Sequence, residues 1–170
     1  FYTILALWVG ALILVAIVHV KVHPEEGITN VKPYQKYFGR YIFFFLVGQV
    51  QTLITVLGEI FYIKIQCPHP FLFWLAAAVS SFVFTIFIYS LTVAFGNVGE
   101  AIAVVVMVIQ VAGAGGTFPI ETLPKVYQYT YKYLPFPYGM NAMRECIGGM
   151  HGADYLRYIG VMGIYVVISL

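Results

Sequence analysis

The sequence predicts an all-α integral membrane protein, a polytopic helical bundle, on three observations. Hydrophobic residues make up 61% of the 170 and charged residues 9%, whereas a soluble domain carries about a quarter charged. The mean hydropathy is +0.88. Long apolar runs are separated by prolines, glycines and the few charges, most of them near the roughly 20 residues that a helix needs to cross about 30 Å of hydrocarbon.

Five spans are expected, at about residues 1–20, 41–65, 71–95, 101–116 and 156–170. The first opens at Phe1 inside apolar sequence, without an initiator methionine or basic leader, so it reads as part of a longer protein and not as a signal peptide. The second holds one charge, Glu59, before Cys67-Pro68-His69-Pro70 breaks the chain. The turn Gly96-Asn97-Val98-Gly99 closes the third, and Gly113-Ala114-Gly115-Gly116 loosens the end of the fourth. The loop 21–40 carries Lys21, Lys32, Lys36 and Arg40 against Glu25 and Glu26, which places it on the cytoplasmic side. Lys125, Lys132, Arg144 and Arg157 then fall on the outer side and run against that count.

Residues 117–149 are too polar to span and too apolar to leave the membrane. Leu123, Val126, Tyr127, Thr130 and Leu134 share one helical face, with Lys125, Gln128 and Lys132 on the other. That helix of about 12 residues reaches roughly 18 Å, so it lies in the interface or dips in and returns. Pro135-Phe136-Pro137 is expected to end it and a second short helix to start near Tyr138. In that second helix Met140, Met143 and Ile147 face apolar surroundings, and Gly148-Gly149 close it.

Gly48, Thr52, Thr55 and Glu59 form one polar stripe inside the membrane. A carboxylate there costs on the order of 2.5–3.5 kcal/mol on insertion scales, so Glu59 faces protein or water. It reads either as part of a polar pathway or as a helix-end residue that snorkels to the headgroups or pairs with a neighbour. Gln49, Gln51 and Gln110 are expected to bond between helices. The histidines are scattered singles, so no metal is predicted. Cys67 and Cys146 fall on one side and read as free thiols, although that face would allow a disulfide. No nucleophile has a base beside it, no cofactor is implied, and a net charge of +2 without a basic stripe excludes nucleic acid.

The order of short loop, span, glycine-rich helix end, Phe118-Pro119-Ile120-Glu121-Thr122-Leu123-Pro124, a spacer, Leu134-Pro135-Phe136-Pro137-Tyr138-Gly139-Met140-Asn141-Ala142-Met143-Arg144-Glu145 and a final span resembles the permease domain of type-2 ABC exporters. More closely, it is similar to the carboxy-terminal membrane domain of the YhgE/Pip (phage infection protein) group of Gram-positive surface proteins, to which EsaA-like type VII secretion accessory proteins are related. The resemblance implies a six-helix permease half whose first helix lies upstream, located in the plasma membrane and paired as a homodimer. Pro119, Glu121, Pro124, Pro135, Pro137, Tyr138, Asn141, Arg144 and Glu145 would then belong to an outer re-entrant gate hairpin. Glu25, Glu26, Lys32 and Lys36 would lie in the loop that meets a separate ATPase or secretion-system components. The chain has no Gly-x-x-x-x-Gly-Lys-Ser/Thr loop, so ATP hydrolysis would belong to that partner. Two functions follow as expectations: a transport or export domain, or a non-transporting anchor and dimerisation module for a large extracellular region. The face of residues 1–20 bearing Phe1, Tyr2 and Trp8 is the expected dimer seam.

Overall fold

The computed structural model describes residues 1–18, 20, 32–116 and 118–170. Glu25 and Glu26 lie outside the described residues. Seven α-helices are described: α1 (Tyr2–Ile17), α2 (Pro33–Leu57), α3 (Pro70–Phe95), α4 (Asn97–Gly113), α5 (Lys125–Tyr131), α6 (Pro135–Gly148) and α7 (Asp154–Ser169). A π-helical turn, Gly58–Tyr62, continues α2, and a 3₁₀ turn, Ile120–Thr122, precedes α5. Two helices are long and apolar enough to cross a membrane, Pro33–Tyr62 and Pro70–Phe95, while α1 and α4 are apolar but shorter.

α3 is the axis of the bundle and packs against α1, α2, α4, α6 and α7. Its sequence is apolar all round, the signature of a helix enclosed on every side. The most apolar stretch of α3 is 61% buried against 28% for α2, so α2 lies at the edge. Around α3 the core is aromatic. Trp8 stacks edge-on to Phe84 at 4.8 Å, Phe84 lies parallel to Phe136 at 6.4 Å, and Tyr89 meets Tyr37, Tyr41 and Phe44.

Several boundaries differ from the sequence reading. α2 begins at Pro33, not near residue 41, so Lys36 and Arg40 are helical. Proline suits a first helical position because its missing N–H would be unbonded there anyway, and Gln35 Oε1 accepts from Lys32 N–H at 3.1 Å. α4 spans 97–113 instead of 101–116, because Gly96 takes φ 60°, ψ −137° and turns the chain in one residue, a conformation open to glycine. The helix can then cross α3 closely at Gly99.

The hairpin helices are also revised. α5 has seven residues, starting after Pro124; Tyr127 and Thr130 are half-buried and Lys125 and Lys132 exposed as expected, but two positions depart from the expected facing. Val126 is exposed, whereas Gln128 turns inward to donate to the carbonyls of Leu123 and Glu121. α6 starts at Pro135 instead of Tyr138. Both prolines occupy its first turn, where helical N–H groups have no intrahelical acceptor. Met140 and Met143 are buried as expected, but Ile147 is 41% exposed.

Trp8 is fully buried within the protomer, which removes it from any seam between copies. Phe1 packs on Phe136. An evenly apolar helix such as α1 carries no period to reveal which side faces inward.

Candidate functional site

The polar stripe of α2 divides into two parts. Its first half is sealed against α3. Gly48 carbonyl accepts from Thr52 Oγ1 at 2.8 Å and from Ser81 Oγ at 3.1 Å, and a Cβ at Gly48 would stand 3.1 Å from Thr85 Oγ1. Thr55 Oγ1 donates to Gln51 carbonyl at 2.9 Å. These hydroxyls are satisfied locally, which lets polar residues sit in an apolar bundle.

The second half faces α1. Glu59 lies in the π turn, is 9% exposed, and accepts a hydrogen bond from Thr3 Oγ1. It therefore does not snorkel; of the helix-end alternatives, the pairing with a neighbour is the one present. Its Oε2 is buried and has no hydrogen-bond partner among the described residues. A groove of about 370 Å³ between α1 and the end of α2 runs over Glu59. Thr3 was not singled out from the sequence, although an aliphatic hydroxyl in the first turn of an apolar helix is the available signal.

The hairpin is seated by a second set of polar contacts. Phe136 packs on Phe84, 14 residues on from Pro70, and at about 1.5 Å per residue this is some 21 Å along α3. α6 then runs back, since Cys146 carbonyl accepts from Cys67 Sγ at 3.4 Å just ahead of α3. Its buried first turn would strand the Phe136 N–H, but Gln110 of α4, 1% exposed, accepts from it at 3.0 Å. The Phe136 N–H fixes the Gln110 amide orientation, since a flipped amide would set donor against donor, and this leaves Nε2 without a partner among the described residues.

Pro135 and Pro137 are buried, and Tyr138 OH donates to Lys132 carbonyl at 2.8 Å. Asn141 Nδ2 donates to Tyr131 OH at 2.9 Å, and Arg144 Nη2 donates to Gly115 carbonyl at 3.1 Å beyond the end of α4. Glu145 accepts from His151 N–H at 2.8 Å. Pro119, Glu121 and Pro124 are exposed at the outer edge of the 3₁₀ turn, with Pro119 carbonyl accepting from Thr122 Oγ1 at 2.7 Å. Tyr138, Asn141, Arg144 and Glu145 thus tie α6 to its neighbours, Pro119, Glu121 and Pro124 stay at the exposed edge, and the α2 stripe contacts α1 and α3. Lys32 and Lys36 stand exposed at the start of α2.

The chemistry of these contacts is positioning. Burial pushes the Cys146 thiol up to about 11, so it stays protonated at neutral pH, and both cysteines are free. Among the described residues no group of histidine, cysteine and carboxylate side chains could hold a metal ion.

A family profile described as "ABC-2 family transporter protein" matches residues 1–170. The "Uncharacterized protein YhgE" of Bacillus subtilis (strain 168) is 30% identical over 169 residues, which cover 98% of this chain and 21% of that protein. The chain therefore spans about a fifth of the length of this relative. No solved structure matches it. A match over the whole helical bundle, hairpin included, places the chain in the ABC-2 transporter family, as a YhgE-like membrane domain.

Proposed function

We propose that the chain is the permease-type domain of a transport system in the plasma membrane of a Gram-positive bacterium, energised by a separate ATPase. The observation that carries this reading is the family match over all 170 residues. In this reading α1, α2, α3, α4 and α7 cross the membrane, and α5 with α6 forms an outer re-entrant hairpin between the last two spans. The placement of α6, which starts beside the middle of α3 and ends beside its beginning, supports the hairpin assignment. Backbone that breaks inside a membrane must be covered by protein and its donors satisfied, and the Gln110 contact with Phe136 meets that need. Two copies would pair through lipid-facing surfaces, and the hairpins would gate the exit.

One observation favours a second reading. Some four-fifths of the relative lies outside the matched region, so the domain would instead anchor and dimerise a large extracellular part serving phage adsorption or type VII secretion. A photo-crosslinking amino acid at Lys36, exposed at the start of α2, separates the two. The transport reading predicts capture of a protein bearing a nucleotide-binding phosphate loop, lost when the crosslinker is moved to His69 at the opposite end. Capture of no ATPase from either position favours the anchor.

A further inference from the structure

We propose that Cys67 and Cys146 are the two halves of a reversible disulfide that locks α6, the returning limb of the hairpin, to the start of α3. The sequence holds two cysteines, 79 residues apart, and the fold brings them together: Cys67 Sγ donates to the Cys146 carbonyl at 3.4 Å. Backbone geometry then puts the Cys67 sulfur within about 6 Å of the Cys146 Cα. Disulfides join Cα atoms about 4.4–6.8 Å apart, so rotation of the two side chains with a small shift of the loop closes the bond. Cys67 is free to shift, because it lies in the irregular stretch between the π turn and α3. Both thiols are unpaired in this structure, which is therefore the reduced form.

The two thiols differ in a way that orders the reaction. Cys67 is half-buried, whereas Cys146 is fully buried and its Sγ bonds back to the Ala142 carbonyl at 3.3 Å. The oxidant is an organic disulfide, RSSR. Cys67 thiolate attacks one of its sulfurs, forming Cys67–S–S–R and expelling RS⁻. Cys146 then loses its proton and attacks the Cys67 sulfur, expelling the second RS⁻. The cysteines together give up two electrons and two protons, and RSSR leaves as two RSH. The second step is the slow one. Burial keeps the Cys146 thiol protonated, with Cys67 facing it from the loop, Glu145 beside it on α6 and Tyr155 near it on α7. Its thiolate fraction, and with it the closure rate, rises roughly tenfold per pH unit below its midpoint.

The inference rests on the membrane-domain reading in one respect, that the hairpin lies on the outer, oxidising side, where disulfides persist. The test uses full-length protein whose other cysteines are replaced by serine, purified in mild detergent and incubated with cystine. Free thiols are then blocked with N-ethylmaleimide and the digest is read by mass spectrometry. A linked Cys67–Cys146 peptide is expected, forming faster as pH rises, with amide exchange of α6 slowed about tenfold and restored by dithiothreitol. Cys146→Ser should stop at a cysteinyl adduct on Cys67. Cys67→Ser, which keeps a donor for the Cys146 carbonyl, should give neither product. A Cys67 adduct that never resolves at alkaline pH overturns the pairing, and a linked form that exchanges like the reduced one overturns the lock. Oxidised glutathione, which does not cross membranes, should close the same bond when added outside intact cells. Closure in detergent but not in cells overturns the outer placement and the switch that depends on it. Failure already in detergent overturns the pairing alone and leaves the transport reading standing.

Discussion

Replacing Gly99 by alanine is expected to remove most of the folded protein from the membrane. A Cβ at this position would lie 2.1 Å from the Leu91 carbonyl oxygen and 2.5 Å from its carbon. Both are backbone atoms of α3, so no rotamer change relieves the clash, and α4 must move away from the axis of the bundle. Overpacking of this kind costs about 3 kcal/mol or more, a large share of the roughly 5–15 kcal/mol that holds a domain together. Gly160→Ala is the control: no heavy atom lies within 4 Å of the added carbon, and because the position is an exposed one inside α7 the substitution should leave stability unchanged or raise it by about 0.5–1 kcal/mol. The yield of monodisperse protein after mild detergent extraction reads both. Equal yields would mean that α3 and α4 do not cross as closely as described.

Gln110→Leu is expected to loosen the start of α6 while leaving the remaining helices in place. Leucine is of similar size but offers no acceptor, so the Phe136 N–H, bonded to Gln110 Oε1 at 3.0 Å, becomes an unpaired donor in the bundle interior. Such a group costs about 1–3 kcal/mol, which corresponds to between about fivefold and about 160-fold more frequent local opening. The substitution also removes Nε2, itself unpartnered among the described residues, and this offsets part of the loss in global stability. Hydrogen–deuterium exchange of residues 136–140 is therefore a sharper readout than thermal unfolding. Unchanged exchange in Gln110→Leu would show that the glutamine does not cap the helix.

Much of this architecture was legible in the sequence because the membrane simplifies the grammar. Apolar runs of about 20 residues, punctuated by Pro70, Gly96 and Gly113, read as membrane helices. Three glutamines in such runs must find partners: Gln49 donates to Ala78 carbonyl at 3.2 Å, Gln51 to Ala6 carbonyl at 3.0 Å, and Gln110 accepts from Phe136. The helix, break, helix plan of the hairpin could also be read, from proline positions and amphipathic spacing.

What escaped the reading has physical causes. Charge at Lys36 and Arg40 looked like loop, yet a helix tolerates it where the chain leaves the apolar region. Pro135 and Pro137 looked like a break, because sequence alone does not separate a breaking proline from one in a first turn. The inward turn of Gln128 depends on the loop carbonyls it bonds, and the approach of Thr3 to Glu59 depends on a π turn that no periodicity signals.

The membrane topology is the central claim, and thiol accessibility in intact cells tests it most directly. Single cysteines at Lys32, His69 and Tyr129, all exposed in the structure, would be placed in full-length protein otherwise free of cysteine and treated with a membrane-impermeant maleimide. Labelling at positions 69 and 129, with position 32 labelled only after permeabilisation, is the predicted result and places the hairpin outside. Labelling at 32 with protection at 69 and 129 would contradict it, inverting the domain and removing the exit gate with it.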